Sequence, residues 1–136
     1  MSTRATIHFH TDGDKNPDAI IYRHGDGYPN GLGLDLQTFF AEVKSNVEDT
    51  RFNNGSYLAA KWVVWDARQM SQYSQQDTKH PLAFLSVGIV QIDPGDIEYR
   101  YHVWCWAAGK SPKITCEKVD FKTRKGSPVS IPDYTP

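Results

Sequence analysis

Arg4 to Thr11, RATIHFHT, alternates without a break: Ala5, Ile7 and Phe9 fall on one side, and Arg4, Thr6, His8 and His10 on the other. Side chains of an extended chain point alternately to opposite faces, so this stretch reads as a strand half-buried against a core. The residues that follow, DGDKNPD (12–18), are turn formers, and AIIYRH (19–24) reads as a second strand that closes a hairpin.

Farther along, the period changes. Leu36, Phe39, Phe40, Val43 and Val47 recur at helical spacing, which predicts an amphipathic helix over 33–47. A second helix is expected from about Ser56, a good N-cap, with Leu58, Trp62, Trp65 and Gln69 on one stripe and Ala60, Val63 and Ala67 beside it. So broad an apolar surface predicts a largely buried helix. After the polar SQYSQQDTKHP (71–81) come three more strand patterns: LAFLSVGIVQI (82–92), IEYRYHVWCW (97–106) and KITCEKVDF (113–121). The first is apolar on both faces and reads as a central strand. The order ββααβββ predicts an α+β fold, a five-stranded and mainly antiparallel sheet with two helices on one face. Residues 1–122 form a single domain in this reading, and 123–136 a Pro-rich tail that is either frayed or laid across a partner.

Composition narrows the function classes. A chain of 136 residues with 39% hydrophobic and 23% charged residues is that of an ordinary globular domain. A formal net charge of -1 gives no basic field to hold a long polyanion, so non-specific nucleic-acid binding is not expected. No apolar run approaches the roughly 20 residues a bilayer helix needs. The start, MSTRATIHFH, lacks the apolar core of a signal peptide. These features predict a cytoplasmic protein without a membrane partner. Cys105 and Cys116 flank a hairpin turn. If Val103 pairs near Val119, Cys105 lies opposite Glu117 and Cys116 points to the other face, which predicts two free thiols.

If helices cover the Ile7, Phe9, Tyr99 and Val103 face, the other face carries Arg4, His8, His10, Glu98, Arg100, His102 and Trp104. Arginine, histidine and tryptophan recognise anions, planar rings or another chain, although such residues also mark a plain covering or dimerising face. His8, His10 and His102 are the residues to consider for a metal, with Glu98 beside them, because imidazole and carboxylate suit zinc. The 12–18 turn echoes half of a calcium loop, but Pro17 and Arg23 occupy the positions that need Gly and a bidentate Glu.

Tyr22 to Pro29, YRHGDGYP, places Arg23, His24 and Asp26 among Gly25 and Gly27, ahead of Tyr28 and a predicted helix. Backbone N–H groups at such a helix start can bind phosphate. The stretch fits neither the P-loop nor the dinucleotide fingerprint. No nucleophile elbow exists and both cysteines lie inside strands; an enzyme of general acid–base type would use His24 with Asp26 or His102 with Glu98.

Three phrases, STRATIHFH (2–10), IIYRHGDGYPNGLG (20–33) and PGDIEYRYHV (94–103), resemble a family of small uncharacterised bacterial, archaeal and phage-encoded proteins of similar length. The resemblance implies that the phrases belong to one compact site or core and that a phage or prophage setting fits; it implies no catalytic residue. The leading expectation is therefore a non-catalytic binding protein, a homo-oligomer that holds an anionic, nucleotide-like ligand or docks a host protein, as a phage counter-defence protein would. Arg23, Arg100 and Arg4 would pair with the anion, Gly25 and Gly27 would let backbone N–H groups approach it, His24, Asp26 and Tyr28 would complete the loop, and Trp104 would stack. No cofactor is expected. The alternatives are a small hydrolase or phosphodiesterase using histidines, with or without a metal, and a pure protein-interaction module.

Overall fold

The computed structural model describes residues 2–73 and 86–134, residues 70–73 by their backbone alone. The fold is α+β. Strands β1 (Ala5–Thr11) and β2 (Ala19–Arg23) precede helices α1 (Leu34–Asn46) and α2 (Gly55–Tyr73). Strands β3 (Val87–Val90), β4 (Tyr99–Cys105), β5 (Lys113–Val119) and β6 (Gly126–Val129) follow. The sheet order is β3-β2-β1-β4-β5-β6. Every pairing is antiparallel except that of β1 with β4, which runs parallel and sets His8 beside His102.

Six strands replace the expected five, because the tail supplies the sixth. Gly126–Val129 pairs with β5 along the sheet edge, where Pro128 can sit without breaking an inner ladder. The third strand also differs from expectation. Val87–Val90 lies at the opposite edge with Ile89 81% exposed, so its run of apolar residues does not mark a central position. The part of that pattern from 82 to 85 lies outside the described residues. The centre of the sheet belongs to β1, which is buried on both faces rather than half-buried.

Alternation does its work on β1 and β4. Ala5, Ile7, Phe9, Tyr101, Val103 and Cys105 face the helices and are fully buried there with Leu36, Phe39, Leu58 and Trp62. Phe39 and Trp62 meet edge to face at 5.5 Å, and Trp62 stacks on Trp65 at 5.1 Å. Aromatic pairs of this kind add roughly 0.5–1.5 kcal/mol each beyond the area they bury. Helix α2 buries Leu58, Ala59, Trp62, Trp65 and Asp66 but exposes Ala60 and Val64, so one stripe is buried rather than most of the helix. Its N-cap is Asn54, not Ser56: Asn54 Oδ1 accepts from the Tyr57 N–H at 3.2 Å.

The hairpin register also departs from expectation. Val103 lies opposite Ile114 and Tyr101 opposite Cys116, so both cysteines face the helices. They are buried free thiols nonetheless, because Cys105 stands four positions along β4 from Tyr101, the partner of Cys116, roughly 13 Å of strand.

Candidate functional site

The three resembling phrases do meet. Gly27 N–H donates to the Thr3 carbonyl at 2.9 Å, Glu98 N–H donates to the Arg4 carbonyl at 2.8 Å, and the buried Tyr101 hydroxyl donates to the Gly27 carbonyl at 2.7 Å. The expected site residues nevertheless fall on two sides of the sheet. Arg23 pairs with Ala5 and so points under the helices, whereas Arg4, Arg100 and Trp104 share the opposite side.

On the helix side, Arg23 ends β2 at the bottom of a cleft of about 450 Å³. Asp26, Tyr28, Asn30 and Asp35 line it from the loop and the start of α1, and Trp65, Asp66 and Gln69 from α2. Arg23 is 6% exposed, with Nη1 2.8 Å from Asp35 Oδ2, Nε 3.8 Å from Asp66 Oδ1, and its guanidinium 5.9 Å from the Trp62 ring. Asp66 is 1% exposed. Its Oδ2, Trp62 Nε1, and Nε and Nη1 of Arg23 are buried without a hydrogen-bond partner, so the Arg23–Asp35 contact is an ion pair by distance only. Burial pushes the Asp66 carboxyl up from its ordinary value, Arg23 pulls it down, and Asp35 adds to the rise.

The backbone of this cleft is unusual in two places. Pro29–Gly33 forms a single π-helical turn leading into α1, a geometry that recurs at functional sites. Asp26 adopts the left-handed region at φ 53, where a non-glycine residue carries strain. Gly31 is required by close approach, since a Cβ there would lie 2.5 Å from the Asp26 carbonyl oxygen. Gly27 serves the loop's own closure, because its N–H is already spent on Thr3. A Cβ at Gly25 would meet nothing within 4 Å, so no close approach requires glycine there. His24 does not join Asp26: its Nδ1 lies 3.0 Å from the Tyr22 hydroxyl, whereas the Tyr28 hydroxyl donates to Asp26 at 3.3 Å.

The other side is closed by chain rather than open. Asp93, from the loop before β4, approaches His8 Nε2 at 2.8 Å and Arg100 Nε at 2.7 Å, and accepts from Thr6 at 3.1 Å. His102 Nε2 pairs with Glu117 at 2.9 Å, not with Glu98. His10 lies 2.8 Å from His102 through ring nitrogens, contacts the Asp14 carbonyl through the other, and stacks on Trp104 at 4.0 Å. His8 is 7% and His10 1% exposed. The three imidazoles do cluster, but none of the described residues form a group of three or more His, Cys, Asp or Glu that could hold a metal ion. Their nitrogens point at hydrogen-bond partners instead.

Each arginine expected to hold an anion already faces carboxylate: Arg23 meets Asp35 and Asp66, Arg100 meets Asp93 and Glu117, and Arg4 meets Asp96. Asp66, Asp35, Asp93 and Glu117 were not singled out from the sequence. For Asp66 a signal exists, since an acid four residues after Trp62 interrupts the apolar stripe of α2. Asp93 carries none, for a loop carboxylate among loop residues is ordinary.

Among the described residues no helix is long and apolar enough to cross a membrane. No family model, curated protein or solved structure matches the chain.

Proposed function

We propose that the protein binds, without transforming it, a small neutral or cationic molecule rich in N–H donors, seated in the cleft between the 24–33 loop and α2. One observation carries this reading. A buried carboxylate, Asp66, belongs to the cleft's lining, and its Oδ2 is enclosed without a partner; a buried polar atom left unpaired costs roughly 1–3 kcal/mol. A ligand N–H that reaches Oδ2 on binding would recover that loss.

Charge argues against the anionic ligand expected from the sequence. One guanidinium, Arg23, faces the carboxylates of Asp35 and Asp66 in a cleft that Asp26 also lines, and a phosphate would have to displace a carboxylate to reach it. Tyr28, 41% exposed at the mouth, and Trp65 offer aromatic surface to a planar ligand. A counter-defence setting rests on the resemblance, and a homo-oligomer or a docked host protein on the arginine, histidine and tryptophan of the opposite sheet face; none of them draws on the geometry of this cleft.

The test uses the full chain, nitrogen-labelled for amide NMR, with agmatine, adenosine and adenosine monophosphate as probes. Agmatine or adenosine is expected to shift the amides of Asp26, Gly31, Asp35 and Gln69, and the monophosphate to bind no tighter than adenosine. Asp66→Asn, checked to be folded, is expected to weaken binding about tenfold or more. Tighter binding of the monophosphate, or unchanged binding by Asp66→Asn, would overturn the reading.

A further inference from the structure

His10 and His102 form one hydrogen-bonded chain whose protons can be counted. His10 Nδ1 lies 2.8 Å from the Asp14 carbonyl oxygen, which only accepts, so Nδ1 carries a hydrogen. His102 Nε2 lies 2.9 Å from Glu117 Oε1, a carboxylate oxygen, so it carries one too. Between the rings, His10 Nε2 and His102 Nδ1 stand 2.8 Å apart, and one must donate to the other. Completing the chain takes three hydrogens on two rings, whereas two neutral imidazoles own two.

We infer that the His10–His102 pair is a single-proton site: the folded protein accepts one added proton on the two rings together and refuses the second. With that proton the pair becomes a shared imidazolium, and every contact from Asp14 to Glu117 has a donor and an acceptor. Without it, one contact brings lone pair against lone pair. With a second, the rings would carry hydrogens on both nitrogens that face each other across 2.8 Å.

The surrounding charge agrees. From β4 comes Arg100, from the loop before it Asp93, and from β5 Glu117, and these sum to one negative charge, to which Asp14 and Asp18 add on the His10 side. A net negative surround favours a proton on the pair. The remaining titratable neighbours are His8 on β1, whose Nε2 faces Asp93, and Asp14 and Asp18 of the 12–18 turn, which act on His10. Burial lowers the proton affinity of both rings. The Asp14 carbonyl offsets this for His10 and Glu117 for His102, while His8 opposes a charge on either and His10 opposes one on His102. An unfolded chain takes two protons on these residues as pH falls through about 6.5, and the fold takes one.

A structural consequence follows. The proton ties the 12–18 turn, through Asp14, to β4 and β5. The turn is otherwise held by the Asp18 N–H on the Phe9 carbonyl at 2.7 Å, the Asp12 N–H on the Cys105 carbonyl at 2.9 Å, and the Thr11–Asp18 side-chain bond. Loss of the proton on raising the pH removes a tie and speeds exchange of the Asp18 amide.

Ring-nitrogen NMR of the intact labelled protein, titrated from about pH 8 to about pH 5, tests this. His10 and His102 together are expected to gain one proton. At the acid end a scalar coupling is expected between His10 Nε2 and His102 Nδ1. In Glu117→Gln the single uptake is expected to move to lower pH. If that variant fails to fold, the parent titration decides by itself. Uptake of two protons by the pair, or of none, would overturn the inference, as would stoichiometric zinc in the purified protein bound through these rings or a Glu117→Gln midpoint equal to the parent's.

Discussion

The Tyr101 hydroxyl joins the sheet to the ligand-side loop. It is fully buried, donates to the Gly27 carbonyl at 2.7 Å, and has its pKa raised by burial first of all, so it stays a donor at any ordinary pH. Tyr101→Phe keeps the ring and removes the bond, leaving a carbonyl unpaired. The expected cost is roughly 1–3 kcal/mol. It should appear in urea unfolding as a lower midpoint at unchanged slope, and an unchanged midpoint would show that the loop closes without this bond. At the same scale, some of the site was legible in the sequence. Arg23 stands two residues after core-facing Ile21, so strand parity alone sends it under the helices, although its neighbours made it look like a loop residue. The partners of the arginines were not legible. Asp35 reaches Arg23 from the start of α1, Asp93 reaches Arg100 from the loop seven residues before it, and Glu117 reaches it through the β4–β5 register, and no periodicity encodes those contacts.

Helix α2 separates two readings of its own start. Ser56 satisfies the residue preference for a cap, but the chain has already turned helical at Gly55, and Asn54 makes the bond. Asn54→Ala is expected to cost about 1 kcal/mol, and Ser56→Ala, exposed within the first turn, to stay within about 0.5 kcal/mol. Thermal unfolding of the two variants decides between the caps; the reverse order would restore Ser56. Long periodic elements were readable because burial of one face imposes the period on many residues, as in β4 and α1. The short edge strands were not. Four residues of β3 carry too little pattern to fix a position, and β6 contains a proline that argues against a strand everywhere but at an edge. Nor does alternation distinguish a parallel neighbour from an antiparallel one. The β1–β4 pairing that assembles the histidines was therefore hidden until the topology was known.

For the described residues as a whole, acid acts on the buried titratable groups with different signs. The His10–His102 pair, with proton affinity lowered by burial, loses stability as pH falls below about 6.5, where the unfolded chain takes up more protons. Asp66 works the other way: its raised pKa makes the charged form costly in the fold, and acid relieves that cost. Asp93 accounts for the steepest loss. Burial pushes its carboxyl up, but the His8 bond and charge together with Arg100 outweigh this and hold it down at about 2. A carboxylate lowered from 3.8 to about 2 contributes on the order of 2 kcal/mol. That contribution is fully present above about pH 4 and is lost as pH falls toward 2. Asp93→Asn should therefore be less stable than the parent at neutral pH by about that amount. The gap should close between about pH 4 and pH 2, since only the parent has a carboxylate left to protonate. Urea midpoints of both proteins across this range measure the gap. If it stays constant down to pH 2, Asp93 does not hold its charge against His8 and Arg100, and the closure of the histidine side must be assigned to other contacts.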